Sequence, residues 1–426
     1  MKNIKVLITE FQEGKYLNLL KDIYIDDSII EYQNNRYIAA LESFKETYGD
    51  KEVEIYSAPG RSEVCGNHTD HQYGKVLAAS INLDTIAVVA KNDNNKVRLK
   101  SEGYSELVVN LNKLDFINEE KGTSNALIRG IASKLSQMNY SIGGFYAYVT
   151  SDVLGGSGMS SSAAFETLVG TIFSNLYNEN SISAVRIACV GQYAENKYFG
   201  KPCGLMDQMA CSVGGLVYID FEKSDEPRVR SVDIDFSSYA HSLCIVDTKG
   251  SHADLTDEYA AVTDEMKKVA NYFGKTVLRE VDENEFLNEL SNIRQELDDR
   301  SVLRAIHYFN ENKRVDSIVK VLEDGKFDAF KSIIRQSGDS SYKYLQNVYS
   351  ASKLKEQGVS IGLAVSDIFL GNEGVSRVHG GGFAGTIQAF VPDNMVSDYK
   401  QTIENVFGKG SCMVLKVRKY GGIKVV

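Results

Sequence analysis

Four residues that could bind a polar ligand are concentrated in the segment APGRSEVCGNHTDH, which begins at Ala58. They are Arg61, Asn67, His68 and Asp70. An apolar strand pattern, TIAVVA, follows closely in the chain. A cation, an amide, an imidazole and a carboxylate held beside a buried strand are typical of a small-molecule site. A single histidine is more often structural, however, so this segment does not define a site by itself.

A second candidate is a glycine-rich loop followed by serines at the predicted start of a helix. Its residues are Gly155, Gly156, Ser157, Gly158, Ser160, Ser161 and Ser162. Successive backbone N–H groups and the positive end of a helix dipole form a cradle for phosphate oxygens. The serines could cap the helix, or they could turn toward a phosphate or a bound magnesium ion. A plain serine-capped helix is the structural alternative.

Two other nucleotide-binding motifs do not fit the sequence. No G-x-x-x-x-G-K-[ST] occurs, and the GKT that begins at Gly274 lacks the upstream glycine and follows a helical pattern, so we expect a helix C-cap there. No G-x-G-x-x-G opens a first βαβ unit. A nucleoside triphosphate is therefore the leading ligand for the glycine loop.

The elements that position these segments are predicted from hydrophobic periodicity. From about Tyr56 to Ala90 the pattern indicates a strand, a polar turn and buried strands. After the glycine loop, apolar residues recur every four positions, which predicts a helix with one apolar face. These residues are Ala164, Leu168, Ile172 and Leu176. A further helix is predicted up to about Gly200.

Downstream, LVYIDF and SLCIVDT are predicted strands, and helical patterns run from roughly Thr256 to Gln357. The segment HGGGFAGTIQAFV is predicted to be a loop and a strand. We place a domain boundary near residue 200, which gives an N-terminal domain of 1–200 and a C-terminal domain of 201–426.

Composition excludes several classes of protein. The chain has 426 residues, 43% of them hydrophobic, and a formal net charge of −10, which opposes a large basic surface for nucleic acid or an anionic membrane. Its six cysteines form no C-x-x-C pair, which argues against a zinc ribbon or a redox dithiol. The apolar N-terminal run is too short for a signal peptide or a membrane span. We therefore expect a cytoplasmic enzyme.

Three segments, APGRSEVCGNHTDH, GGSGMSSSAA and HGGGFAG, resemble in order and separation the three motifs of the GHMP small-molecule kinases. Within that superfamily the resemblance is to the galactokinase family. The first segment resembles the signature A-P-G-R-V-N-L-I-G-E-H-T-D-Y, and PCGLMDQ resembles P-C-G-I-M-D-Q. The resemblance extends from about Val53 to the C-terminus. It implies an α+β, two-domain GHMP kinase fold with the active site in the interdomain cleft.

The resemblance also implies a reaction, transfer of the γ-phosphate of ATP to the anomeric hydroxyl of a hexose, most simply D-galactose. Arg61 and Asp207 would then be the catalytic residues, because phosphoryl transfer depends on positioning and on charge stabilisation. Asp207 would take the proton of the sugar hydroxyl as a general base or only orient that hydroxyl. The structural alternative for each residue is a buried ion pair. Ser162 and Glu195 would hold Mg²⁺, and the glycine loop would bind ATP. The family's third motif corresponds to Gly380, Gly381 and Gly382, which would support the active site.

The sugar-binding residues are likewise implied by the resemblance. They are Asn67, His68, Asp70, Gly204 and Tyr259. Polar groups that converge on a pocket are typical of carbohydrate recognition. The partners implied are therefore a sugar and ATP, with no nucleic acid and no membrane, and the oligomeric state is left open.

The chain departs from the family signature where sugar specificity is expected. Asn67 replaces a glutamate, His71 replaces a tyrosine, and S-E-V-C replaces V-N-L-I. An amide at position 67 would repel a 6-carboxylate less than a glutamate does. The chain has no tryptophan, and Ser124 stands where an aromatic residue often packs on adenine, so the nucleotide preference is left open. Two alternatives follow: a kinase for galacturonate or another galacto-configured sugar, and a regulator that binds sugar and ATP without turnover.

Overall fold

The structure is a computed structural model that describes residues 1–153, 158–223, 227–234, 236–250 and 255–426. Helices and strands alternate irregularly along the described chain. The helices are α1 (Ile4–Gln12), α2 (Leu17–Tyr24), α3 (Ile30–Tyr48), α4 (Ser124–Gln137), α5 (Ser161–Asn178), α6 (Ala184–Ala194), α7 (Met206–Val213), α8 (Thr256–Tyr272), α9 (Glu283–Asn288), α10 (Leu290–Glu296), α11 (Asp299–Glu323), α12 (Phe327–Ser340), α13 (Gly358–Leu370) and α14 (Val396–Phe407). The strands are β1 (Lys2–Asn3), β2 (Glu52–Cys65), β3 (Lys75–Lys91), β4 (Lys96–Ser101), β5 (Leu107–Asn110), β6 (Phe145–Ser151), β7 (Leu216–Asp220), β8 (Arg228–Val232), β9 (His241–Asp247), β10 (Val375–His379), β11 (Thr386–Pro392), β12 (Cys412–Leu415) and β13 (Ile423–Lys424).

The chain forms two compact units, and each contains segments that are distant in sequence. The first unit comprises residues 1–61, 80–215 and 416–426, and the second comprises residues 62–79 and 216–415. The contiguous domains predicted from the sequence, 1–200 and 201–426, stay a prediction. The units differ from that prediction because β2 and β3 each continue from one unit into the other.

The first unit is a mixed sheet covered by helices. Its strands follow the order β1-β2-β3-β6-β4-β5, with β13 paired to β2, and β4 runs parallel to β6. The helix predicted after the glycine loop is confirmed as α5, and Ala164, Leu168, Ile172 and Leu176 are all buried. The helix is buried on most of its sides, where the sequence predicted a single apolar face. Leu168, Ile172 and Leu176 pack in a core that includes residues of β3, β6 and α4. The sheet and α5 therefore fix where the glycine loop ends.

The second unit has its own antiparallel sheet, in the order β10-β11-β9-β12. Within the same unit, β7 pairs with residues 75–79 of β3 and with β8. Helices α8 and α11 share an apolar core with the region around Phe383. The predicted C-cap near the GKT segment is confirmed, since Gly274 follows α8 with a φ of 68°. Both units combine helices with sheets, so the fold class is α+β as predicted.

Among the helices of the described residues, none is both long enough and apolar enough to cross a membrane.

Candidate active site

Arg61 and Asp207 form a two-bond ion pair in the first unit. Nε of Arg61 donates to Oδ1 of Asp207 at 2.7 Å, and Nη2 donates to Oδ2 at 2.7 Å. Arg61 lies near the end of β2, and Asp207 lies in the first turn of α7. Burial raises the pKa of Asp207, but the charge and hydrogen bonds of Arg61 outweigh it, so the pKa lies below its usual value. Asp207 is therefore an ionised hydrogen-bond acceptor at neutral pH.

The end of the glycine loop is joined to this ion pair. Nη1 of Arg61 donates to the carbonyl oxygen of Gly158 at 2.6 Å, and the backbone N–H of Arg61 donates to the carbonyl of Met159 at 3.2 Å. The hydroxyl of Ser160 donates to Oδ2 of Asp207. These contacts hold the two predicted catalytic residues against the start of α5.

Ser160 has an unusual backbone conformation. It occupies the N-cap position of α5 with a φ of 57°, in the left-handed region that residues other than glycine seldom adopt. Its side chain makes no capping bond and contacts Asp207 instead. Ser160 therefore does not cap α5 with its side chain, which was the structural alternative for this segment. Ser161 is the first residue of α5, whereas Gly155, Gly156 and Ser157 lie outside the described residues.

Ser162 and Glu195, the predicted magnesium ligands, lie side by side. The hydroxyl of Ser162 donates to Oε1 of Glu195 at 3.2 Å. Nζ of Lys201 also lies 3.2 Å from Oε1, and Nε2 of Gln208 donates to Oε2 at 2.7 Å. Glu195 is buried at the end of α6, so its carboxylate is taken from water and held at a fixed position.

A second buried carboxylate, Glu166, lies beside Glu195. Nε2 of Gln208 bridges the two residues, since it also donates to Oε2 of Glu166 at 3.0 Å. Oε1 of Glu166 is buried and has no hydrogen-bond partner among the residues that the structure describes. Burial raises the pKa of Glu166 well above its usual value, and the charge of Glu195 raises it further.

This oxygen-rich cluster fits a hard divalent cation. A hydroxyl, a carboxylate and an unpartnered carboxyl oxygen are donors of the type that Mg²⁺ prefers. The described ranges contain no group of three or more histidine, cysteine, aspartate or glutamate residues that could hold a metal ion by themselves.

In the second unit, three of the predicted sugar-binding residues contact the loop Gly380–Gly382, which follows β10. Nδ2 of Asn67 donates to the carbonyl of Gly380 at 2.7 Å, and Nε2 of His68 lies 2.9 Å from the carbonyl oxygen of Gly381. The hydroxyl of Tyr259 donates to the carbonyl of Gly382 at 2.9 Å. Each residue of the predicted third motif is thus held through its backbone carbonyl.

The loop has little space for side chains. Gly382 has a φ of 77°, and a Cβ atom on it would lie 2.1 Å from the carbonyl oxygen of Asn347. A Cβ atom on Gly381 would lie 2.6 Å from the ring of Tyr259. The two glycines therefore permit a close approach of backbone to backbone and of backbone to an aromatic ring.

Both histidines of the first motif are neutral at physiological pH. Burial lowers the pKa of His68 to about 4 and that of His71 to about 3. Their rings lie 5.9 Å apart between centroids. Neutral imidazoles can donate and accept hydrogen bonds, which suits recognition of an uncharged sugar.

The remaining predicted sugar residues, Asp70 and Gly204, belong to different units. Asp70 begins a short 3₁₀ turn in the second unit and is half-buried. Gly204 is exposed in the segment before α7 of the first unit. Sequence analysis missed Glu166, Gln208 and Asn347. Gln208 lies next to Asp207 in PCGLMDQ, which was the available signal.

Comparison with known proteins supports this arrangement of motifs. The family model described as "Galactokinase galactose-binding signature" matches residues 42–91, and the model of the GHMP kinases N terminal domain matches residues 126–215. The first match contains Arg61 and the first-motif residues, and the second contains the serines of α5 together with Glu195 and Asp207.

Relatives cover nearly the whole chain. A galactokinase of Clostridium tetani (strain Massachusetts / E88) is 26% identical over 389 residues, which is 89% of this chain and 95% of the relative. The crystal structure of Lactococcus lactis galactokinase complexed with galactose has a TM-score of 0.77 at 24% identity and covers 91% of this chain and 100% of that one. The Methanococcus jannaschii mevalonate kinase has a TM-score of 0.61 at 14% identity, covering 86% and 98%.

These similarities define the class of protein: the chain has the two-domain α+β fold of the GHMP kinases. Within that class, its sequence is similar to the galactokinases over most of its length. The resemblance expected from the sequence motifs is thereby confirmed.

Proposed function

We propose that this chain is a sugar kinase that transfers the γ-phosphate of ATP to the anomeric hydroxyl of D-galactose. The observation that carries the proposal is the ion pair of Arg61 and Asp207 at the end of the glycine loop. Phosphoryl transfer uses a cation beside the phosphate-binding loop to stabilise negative charge, and a carboxylate beside that cation to position the attacking hydroxyl.

The roles of the two residues follow from their charges. Arg61 stabilises the negative charge on the transferred phosphoryl group, as a fixed cation does in phosphoryl transfer. Asp207 accepts a hydrogen bond from the attacking hydroxyl and orients its oxygen toward the phosphorus atom. Its lowered pKa favours orientation over storage of a proton, because an efficient general base has a pKa near the operating pH.

The proposal includes Mg²⁺ held by Ser162 and Glu195, with Glu166 as a neighbouring oxygen donor. When bound, Mg²⁺ neutralises charge on the phosphates of ATP. Gln208 keeps the two carboxylates in place through its shared amide. The glycine loop, with Gly155, Gly156, Ser157, Gly158, Ser160 and Ser161, is proposed to bind the nucleotide.

For the sugar, the proposed ligands are His68, Asp70, Gly204 and Tyr259. The carboxyl oxygens of Asp70 would accept hydrogen bonds from neighbouring ring hydroxyls, and the neutral imidazole of His68 suits an uncharged hexose. We propose galactose as the substrate because the matching family signature and the curated relative are those of galactokinases. Neither the galacturonate kinase nor the non-catalytic regulator is favoured. A cytoplasmic location is proposed because the reaction consumes ATP.

The test is an assay that couples ADP release to a detectable signal, with purified protein, Mg²⁺, ATP and a panel of hexoses and hexuronates. We expect turnover with galactose and formation of galactose 1-phosphate, identified by phosphorus NMR. Preferential turnover of galacturonate would favour the other sugar kinase. Binding of sugar and ATP without ADP release would favour the regulator.

A further inference from the structure

The side chain of Asn67 is fully buried, and every polar atom of it is used within the second unit. Its Nδ2 donates to Oε1 of Glu63 at 3.0 Å as well as to the carbonyl of Gly380 at 2.7 Å. Its Oδ1 accepts a hydrogen bond from Nδ2 of Asn347 at 2.8 Å. An amide with both its donor and its acceptor engaged has little capacity left for a substrate.

Glu63, the partner of Asn67, is a buried carboxylate with a buried counter-ion. Nη2 of Arg377 donates to Oε1 of Glu63 at 3.0 Å, and Nη1 donates to the carbonyl of Val64 at 2.8 Å. Arg377 is 0% exposed, and the exposure of Glu63 is 4%. Arg377 also lies in the field of the buried carboxylate Glu311, which has its own partner in Arg314. The buried carboxylates of this region are thus each paired with an arginine, which is the condition under which buried charges are tolerated.

The galactokinase signature has an asparagine followed four residues later by a glutamate. At the same two positions this chain has the glutamate first, Glu63, and the asparagine second, Asn67. Glu63 aligns with the asparagine of V-N-L-I, and Asn67 aligns with the glutamate of G-E-H. We propose that the carboxylate and the amide have exchanged places as a unit, and that the resulting Glu63–Asn67 pair positions the loop Gly380–Gly382. Asn67 is then a positioning residue, and it does not select the sugar at C6. This inference rests on the proposed sugar kinase function.

The exchange has a physical reason. A glutamate at position 67 would bring a second carboxylate to the place where the Asn67 amide now lies 3.0 Å from Glu63, and like charges at such a distance in a buried region disfavour the folded state. An amide at position 67 avoids this contact between like charges, and its N–H group donates a hydrogen bond to the carbonyl oxygen of Gly380. The two departures from the signature are therefore one compensated change.

The exchange also changes the expectation for the substrate. The amide at position 67 suggested weaker repulsion of a 6-carboxylate, because a negative charge had been lost. Glu63 retains that charge within hydrogen-bonding distance of Asn67, so the number of carboxylates in this region is unchanged. Galactose therefore remains the expected substrate.

The test is a double-mutant cycle with Glu63→Gln, Asn67→Asp and the double variant, in which each side chain keeps its length. Asn67→Asp places a second carboxylate beside Glu63, and Glu63→Gln leaves Arg377 without its carboxylate. Thermal unfolding should show a lower Tm for each single variant. The double variant should recover most of the Tm lost in Asn67→Asp, since the amide introduced at position 63 can donate to the carboxylate introduced at position 67. Additive losses of Tm would overturn the paired exchange.

Kinetics with galactose and galacturonate test the positioning role. In Asn67→Asp, kcat with galactose should fall by about tenfold or more, and the double variant should regain part of it. The ratio of galacturonate to galactose turnover should stay within about threefold of the parent's, because the residue does not read C6. A ratio that shifts strongly in Asn67→Asp and stays shifted in the double variant would overturn the proposal.

A control separates positioning from general instability. Asn82 is a buried amide of the first unit whose Nδ2 donates to the carbonyl of Tyr24 at 3.2 Å. Asn82→Asp should lower the Tm and leave kcat of the folded enzyme unchanged. An equal loss of kcat in Asn82→Asp would overturn a specific role for Asn67. If the parent phosphorylates neither sugar, the proposed function fails, while the Tm cycle still tests the pairing.

Discussion

Replacing Asp207 by asparagine removes one negative charge from the proposed active site with almost no change in shape. The asparagine retains one acceptor for Arg61, but its amide group faces the second donor of the guanidinium. The change thus removes one of two charged hydrogen bonds, and it removes the acceptor of the Ser160 hydroxyl. It also leaves the attacking hydroxyl without an anionic acceptor.

The loss of a group that positions charge in a transition state commonly lowers kcat by about a hundredfold to a thousandfold. That range corresponds to about 2.7 to 4 kcal/mol in the activation free energy. We expect kcat of Asp207→Asn to fall by at least about a hundredfold, with ATP binding reduced much less. The coupled ADP-release assay gives kcat, and isothermal titration calorimetry gives the affinity for ATP.

Asp220→Asn is a matched control, because Asp220 is also an aspartate that pairs with an arginine, Arg279, at 3.1 Å. It should leave kcat unchanged. The reasoning would be refuted by an Asp207→Asn variant that is folded, judged by circular dichroism, and retains kcat within a few-fold of the parent. Equal losses of kcat in both variants would instead indicate a general effect of breaking ion pairs.

Three further predictions concern the cation, the pH dependence of stability and the core. Ser162→Ala should raise the Mg²⁺ concentration needed for half-maximal activity, whereas Ser183→Ala, which removes the N-cap of α6, should lower only the Tm. Burial raises the pKa of Glu311, but nearby positive charges outweigh this effect and lower the pKa to about 2. The stability that results is fully present above pH ~4.5 and is lost as the pH falls toward 2. The free energy of unfolding of Glu311→Gln, measured with urea, should therefore depend less on pH in that window. Leu168→Ala in α5 should cost about 2 to 5 kcal/mol of unfolding free energy, and the half-exposed Val108→Ala should cost much less.

Local patterns in the sequence predicted the elements that carry the site. The four apolar residues of α5 that recur at helical spacing are all buried as predicted, although the helix is buried on most of its sides. The continuous apolar run TIAVVA lies in β3, where every residue from Thr85 to Ala90 is buried. Such predictions succeed because the periodicity of side chains along a helix or strand is a local property.

Motif positions also predicted which residues could carry the chemistry. The resemblance implied Arg61 and Asp207 as a catalytic pair, and the structure joins them by two hydrogen bonds. It also implied Ser162 and Glu195 as ligands of one magnesium ion, and their side chains are joined by a hydrogen bond. The motif letters gave no indication that Glu166 shares an amide with Glu195, because that contact depends on how α5 packs against α6 and α7.

The sequence by itself determined the residue types, the secondary structure and the resemblance to a family of kinases. Only the tertiary structure shows which groups Asn67 contacts. Its partners are Glu63, four residues away, and Asn347 and Gly380, which are 280 and 313 residues away. A buried amide must satisfy its hydrogen bonds with whichever groups the fold brings to it, and distant groups of this kind are not encoded in any local pattern. A motif position that predicts a substrate ligand from the sequence can therefore have, in the folded chain, the contacts on which a positioning role is proposed.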